Sequence, residues 1–337
     1  LPDAQASQLQ ARREGLRLPP TLQPRSEFEG YRIVRELQLS ARSHVYLATD
    51  LASGQAAVLK TPSVDLRDDP AYLDRFLLEE WIARRIDSPH VVRAGTAERQ
   101  REHLYVALEY VDGQTLAQWM VDHPAPSLDQ VRGIVEQVAR GLQAFHRKEM
   151  LHQDLRPENL MLDRTGTVRI IDLASTHVAG LTEGTAEASP QAILGSLQYT
   201  APEYFVGGSG TVQSELFSLA VISYQMLSGQ LPYGLQVTRL RTPDELKRLR
   251  YIELRSLRPD LPPWLDAVLR RALQAQPGKR QEALSEFVQD LRRPGPQYQR
   301  QGASPLIERQ PLRFWQGLTL LLALAVLVLL WLRVTGA

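Results

Sequence analysis

Between Leu151 and Asp172 the chain alternates short apolar runs with polar residues that a plain core would not use: Leu151-His152-Gln153-Asp154-Leu155-Arg156-Pro157-Glu158-Asn159-Leu160, then Val168-Arg169-Ile170-Ile171-Asp172. This offers a carboxylate at Asp154, an amide at Asn159 and a second carboxylate at Asp172, each beside a β-type run that can hold it rigidly. Oxygen ligands of that sort suit magnesium, which is normally shared between one or two carboxylates and a phosphate chain. Taken singly, the same residues also suit turn capping, and the residues alone leave both readings open. The absence of cysteine narrows the chemistry by excluding a disulfide scaffold, a thiolate zinc site, a thiol nucleophile and a cysteine-held iron–sulfur cluster. None of the seven histidines falls in an HExxH or other metal-ligand spacing. Lys+Arg at 39 against Asp+Glu at 38 argues against a protein that coats nucleic acid by neutralising phosphates.

The rest of the chain divides by texture. Residues 1–30 are rich in Gln, Arg and Pro and read as a linker or N-terminal arm, and a start at Leu1 rather than Met reads as a cut end. Tyr31–Val34, His44–Ala48 and Ala56–Lys60 read as strands, the last two flanking an Ala52-Ser53-Gly54 turn. Leu73, Phe76, Leu77, Trp81 and Ile82 recur at helical spacing within 71–86, and a strand is expected at 103–109. Beyond Asp112 the texture is helical, notably over 128–148 and 214–227. The expectation is an α+β fold of two lobes: a small antiparallel sheet with one main helix, then a larger helical lobe. Trp81, Trp119 and Trp264 read as packing aromatics.

The run around Asp154 resembles the catalytic loop of the eukaryotic-like bacterial serine/threonine protein kinases, HRDLKPEN followed by DFG. Other landmarks follow in order: Val58-Leu59-Lys60 resembles VAIK, Arg75–Glu80 the αC helix with its glutamate at Glu79, and Leu108–Val111 the hinge between lobes. Gly195–Glu203 resembles an activation segment closing in APE, Ser214–Ala220 the core helix, and Arg280 the late arginine that pairs with the APE glutamate. The resemblance implies a bilobal kinase fold, with an N-lobe and hinge over 31–111 and a C-lobe over 112–294. It implies Mg·ATP as cofactor and protein Ser/Thr hydroxyls as acceptors. Asp154 would orient the acceptor hydroxyl and take its proton, Lys60 held by Glu79 would meet the α- and β-phosphates, and Arg156 would stand near the γ-phosphate. Asn159 and Asp172 would hold the metal ions. Gln38, Ser40, Ser43, Val45, Val58, Lys60, Glu79, Glu109, Val111 and Met161 would line the nucleotide site. His152 would be a structural histidine rather than a base.

Several positions depart from the family pattern. The glycine-rich loop falls on Gln38–Val45 without one glycine, so the phosphate grip would be looser or rebuilt on the Ser40 and Ser43 hydroxyls. Gln153 replaces the arginine that meets an activation-loop phosphate, implying activity independent of loop phosphorylation. Ala174 replaces the DFG glycine, and Glu215 replaces the aspartate that braces the catalytic loop. Ser196 keeps the hydroxyl the family supplies as threonine, which favours Ser/Thr acceptors over Tyr. A pseudokinase scaffold is the second reading, and a small-molecule kinase a third.

Phe314–Leu332 is uncharged throughout and as a helix spans about 28 Å, the length of one membrane crossing. Trp315 and Trp331 mark its ends. Arg292, Arg293, Arg300, Arg309 and Arg313 lie on its N-terminal side. Residues 295–313 therefore read as a basic juxtamembrane linker, 314–332 as a transmembrane helix in the lipid bilayer and 333–337 as a short tail. The expected location is the cytoplasmic (inner) membrane, single-pass, with the kinase domain facing the cytoplasm. The glycine-free loop, the HQDLRPEN spelling and this crossing are together most similar to the kinase half of proteobacterial proteins that fuse a PP2C-type phosphatase to a kinase. That likeness implies a phosphatase domain on the same parent chain.

Overall fold

Alternation of apolar side chains on the first strands requires cover on both faces of one sheet, and the chain supplies it from two directions. In the computed structural model, which describes residues 15–40, 43–66, 69–95, 100–179, 197–296, 298, 315, 316 and 319, β1 (Glu27–Phe28), β2 (Tyr31–Leu39), β3 (Ser43–Asp50) and β4 (Ala56–Pro62) are followed by α1 (Pro70–Arg85) and β5 (Val106–Glu109). These strands pair antiparallel in the order β1-β2-β3-β4-β5. Along 104–108 the side chains alternate: Leu104, Val106 and Leu108 join the core shared with α1, while Tyr105 and Ala107 join a second core on the opposite face. Leu22 and Phe28 complete that second core, with Leu22 only 5% exposed. Half of the segment read as a linker thus packs against the sheet, because the outer face would otherwise leave Tyr31, Ile33, Tyr46 and Tyr105 in water.

The chain then crosses into a helical lobe through β6 (Gly113–Thr115), α2 (Leu116–Asp122) and α3 (Leu128–His146). A Cβ at Gly113 would stand 1.9 Å from the Leu162 carbonyl oxygen, so only glycine permits this crossing. β7 (Met150–Leu151), β8 (Leu160–Asp163), β9 (Val168–Ile170) and β10 (His177–Val178) form two small sheets, ordered β6-β8-β9 and β10-β7. Next come α4 (Val212–Ser228), α5 (Leu254–Leu257), α6 (Pro263–Ala272) and α7 (Leu284–Arg292). α4 is buried on nearly every face and is the post on which the lobe is built.

Strand and helix expectations hold to within two residues, except that the strand expected over 103–109 begins at Val106 and the one expected over 31–34 runs on to Leu39. No helix among the described residues is long and apolar enough to cross a membrane. The run 314–332 lies outside them save for Trp315, Gln316 and Thr319. Ser196 and the activation-segment residues 180–196 also lie outside.

Candidate active site

β4, α1 and the residues after β9 each deliver one polar group to a common place. β4 carries Lys60, opposite Val45 on β3 and Val106 on β5. α1 carries Glu79, buried to 1% exposure. The residues after β9 carry Asp172, whose side chain stays 38% exposed. Lys60 Nζ bridges the two, 2.8 Å from Glu79 Oε2 and 3.1 Å from Asp172 Oδ1. Burial disfavours the Lys60 charge, but Asp172 and Glu79 outweigh it and raise its pKa. Burial also raises the Glu79 carboxyl, and Lys60 offsets only part of that. At Asp172 burial pushes upward too, yet Lys60 and the Ala174 N–H overcome it and hold the carboxyl below its ordinary range.

The loop between β7 and β8 holds the second cluster. The Asn159 amide donates from Nδ2 to the Asp154 carbonyl (2.9 Å) and to its Oδ2 (3.0 Å). That use of the donor end leaves Oδ1 as the Asn159 atom with metal-ligand chemistry. Asn159 O accepts from Ile171 N at 3.0 Å, tying this loop to the residue before Asp172. His152 Nε2 lies 2.5 Å from the Asp172 carbonyl, in keeping with a structural histidine. Glu215 on α4 accepts from the backbone N–H groups of His152 and Gln153 and meets His146 Nε2 with its other oxygen. The longer side chain thus holds the catalytic loop with one oxygen and His146 with the other. Gln153 takes a positive φ of 64° there. Arg156 Nε lies 3.4 Å from Glu158.

Asp172 and Asn159 offer one carboxylate and one amide oxygen, and among the described residues no three His, Asp or Glu side chains form a self-sufficient metal cage. This donor set fits magnesium that brings its remaining oxygens on phosphates and water. Other expected lining residues are placed less simply. Gln38 pairs with Val45 across the β2–β3 hairpin, and Val58 pairs with Leu108. Met161 lies on β8 opposite Thr115 and Arg169, and Val111 is buried at the crossing. The Ser40 hydroxyl donates to Ser43 O (2.9 Å) and accepts from Ser43 N (3.0 Å), so it closes the hairpin. Glu109 uses its carboxylate on Arg169 Nη1 (2.8 Å) and on the Arg93 N–H (2.9 Å), stapling the hinge.

Two ion pairs flank the site. Glu203 and Arg280 form a bidentate bond at 2.8 and 2.7 Å, as the late-arginine reading expects. Glu80, next to Glu79, is gripped by Arg101 and Arg84, a cluster that sequence reasoning missed. Its only sequence signal is two adjacent acids on an apolar helix.

The chain has relatives among known proteins. The chain is similar to the serine/threonine-protein kinase PrkC of Bacillus subtilis, 26% identical over 203 residues that make up 60% of this chain and 31% of the relative. It is similar to the serine/threonine-protein kinase PknB of Mycobacterium leprae, 28% identical over 287 residues, 81% of this chain and 43% of the relative. Each match therefore spans less than half the relative's length. Among solved structures it resembles the Mycobacterium tuberculosis PknI kinase domain, with 27% identity and a TM-score of 0.61 over 80% of this chain and 98% of that one. Residues 31–296 match the family described as protein kinase domain, and with the lysine bridge and the catalytic loop in place this chain belongs to that family.

Proposed function

We propose that this chain is a serine/threonine protein kinase that transfers the γ-phosphate of Mg·ATP to protein hydroxyls. The observation that carries the reading is the assembled Lys60–Glu79–Asp172 bridge beside the Asn159–Asp154 pair. Phosphoryl transfer asks for positioning and charge neutralisation more than for covalent chemistry, and these five side chains supply both. Lys60 holds phosphate charge, Asp172 and Asn159 hold metal, and Asp154 takes the acceptor proton. A scaffold without activity would not need a buried lysine kept charged by two carboxylates, so the pseudokinase reading is the weaker one. The relatives named above are serine/threonine kinases by name, which supports the acceptor class. The proposal extends to a tether: residues 314–332 cross the cytoplasmic membrane once, with the kinase domain on the cytoplasmic side, and a PP2C-type phosphatase shares the parent chain.

The test is γ-phosphate transfer from Mg·ATP to a generic acceptor protein, with Asp154→Ala and Lys60→Met beside the wild type. Transfer lost in both variants supports the reading. No transfer from wild type across several metals and acceptors would overturn it. Protease added outside intact cells should leave the kinase domain uncut; cleavage would overturn the topology.

A further inference from the structure

We propose that Arg101 is a positioning residue for phosphoryl transfer: by clamping Glu80 on α1, it holds that helix where Glu79 meets Lys60. The inference rests on the kinase reading above and concerns residues that reading does not use. Consecutive side chains on a helix diverge by roughly 100°. Glu79 therefore turns toward β4 while Glu80 turns toward the segment that leads into β5. There Arg101 Nη1 lies 2.6 Å from Glu80 Oε2 and Nη2 lies 2.8 Å from Oε1, a two-pronged fork. Arg84, one turn on, adds Nη2 at 2.7 Å from Oε1. The Glu80 side chain is 4% exposed and that of Arg101 16%, so this is a buried pair rather than a surface contact.

Arg101 is itself anchored to the sheet. It donates to the Tyr105 carbonyl at 3.0 Å and lies 4.5 Å over the Tyr105 ring. Tyr105 is buried in the outer core of the same sheet that carries Lys60. α1 is therefore tied to the sheet twice, by Glu79 through β4 and by Glu80 through 101–105. The first tie is the catalytic one, and the second fixes where along the sheet it can form.

The segment preceding residue 31 reinforces the second tie from outside the matched kinase region. Arg17 N donates to Glu102 O (2.8 Å), and Leu104 N donates to Arg17 O (2.8 Å). Glu29 Oε1 accepts from the backbone N–H groups of Glu102 (3.1 Å) and His103 (2.9 Å) and lies 2.8 Å from His103 Nδ1. Residues next to Arg101 in sequence are thus pinned by the arm.

The test uses the full chain and replaces both partners, Glu80→Met with Arg101→Met, because removing one alone would leave a buried charge. The expected result is a kcat at least tenfold below wild type with the KM for acceptor unchanged. In a Glu79→Gln background the same pair should cost less than twofold, since its effect runs through Glu79. Arg101→Lys, which keeps charge but loses the fork, should recover only part of kcat. Equal factors in both backgrounds would overturn the proposal by showing a merely structural role. Hydrogen exchange gives a readout independent of activity: amides over 70–85 should exchange at least tenfold faster in the paired variant while those of α4 keep their protection. Unchanged protection of 70–85 would overturn it as well. If wild type transfers no phosphate, the kinase reading fails and the exchange result alone decides this one.

Discussion

Arg280→Met should be the most damaging single substitution remote from Lys60 and Asp172. Arg280 has no exposed side chain, and Glu203 is 9% exposed. The guanidinium makes two bonds to Glu203 and further bonds to the carbonyls of Gln213 (2.8 Å), Gln274 (2.7 Å) and Ala275 (3.2 Å), and it lies 4.8 Å over the Phe217 ring. Methionine fills much of the volume but strands Glu203 as a buried carboxylate, which costs about 3–5 kcal/mol. The Ser214 hydroxyl still donates to Glu203 Oε1 at 2.7 Å, so the lower half of that range applies. Set against a total stability of about 5–15 kcal/mol, this is a large fraction. At about 2 °C per kcal/mol for a domain of this size, Tm should drop by about 6–8 °C in scanning calorimetry. Adding Glu203→Gln removes the stranded charge and should recover more than half of the loss. An Arg280→Met variant melting within about 2 °C of wild type would refute the argument from desolvation.

Glu215→Ala withdraws the acceptor from the His152 and Gln153 N–H groups and from His146; it should cost about 1–3 kcal/mol in urea denaturation and lower kcat by loosening Asp154, and an unchanged midpoint would contradict the bracing role. Acidic substitutions at Thr182, Thr185 and Ser189 should leave kcat within about twofold, because Gln153 offers no cation to an added phosphate; a many-fold rise refutes this. On acidification kcat/KM should fall at a pH above the ordinary glutamate value of about 4.3, since Glu79 is pushed up and its protonation ends the charge pairing with Lys60. That limb should vanish in Glu79→Gln, and an identical limb in both proteins refutes the assignment. Stability runs with opposite signs at the two acids. The raised Glu79 favours the fold below its unfolded pKa and loses that contribution as pH rises through its folded value. The depressed Asp172 contributes above about 3.9 and loses its contribution as pH falls through its folded value. Asp172→Asn should therefore flatten the decline of the urea midpoint at the acid end, and an unchanged slope would refute this.

What the sequence made legible follows from how local each signal is. Asp154, Asn159 and Asp172 lie within one short stretch whose turn chemistry and β-type flanks are readable directly, so their convergence was foreseeable. Lys60 and Glu79 lie 19 residues apart on different elements, and only the ordered resemblance linked them. The role of the arm was not legible: its apolar residues are interspersed with Gln, Arg and Pro, and Leu22 and Phe28 belong to no sustained period. Their burial is decided by a need elsewhere, the uncovered face of the sheet. Likewise nothing in the sequence marks a partner for Glu80, and the fold brings Arg101, 21 residues on, to it.

On the proposed kinase function, the glycine-free hairpin shifts where phosphate charge would be met. Glycines serve such a loop by letting backbone N–H groups come close to a ligand. Here Ser40 N donates to Ser43 O (3.1 Å) and the Ser40 hydroxyl bonds Ser43 in both directions, so polar groups at the hairpin's two ends are engaged with each other. A nucleotide held with less help from that hairpin would, on the same function, depend more on Lys60 and on cations at Asp172 and Asn159. Those groups are in turn fixed by Glu79, by the Asp154 carbonyl and by the backbone link from Ile171 to Asn159. On that reading the set-point of α1 would carry more of the catalytic load here than in a kinase whose loop grips phosphate by itself. This is why a buried clamp on that helix, costly to desolvate, has a functional rationale.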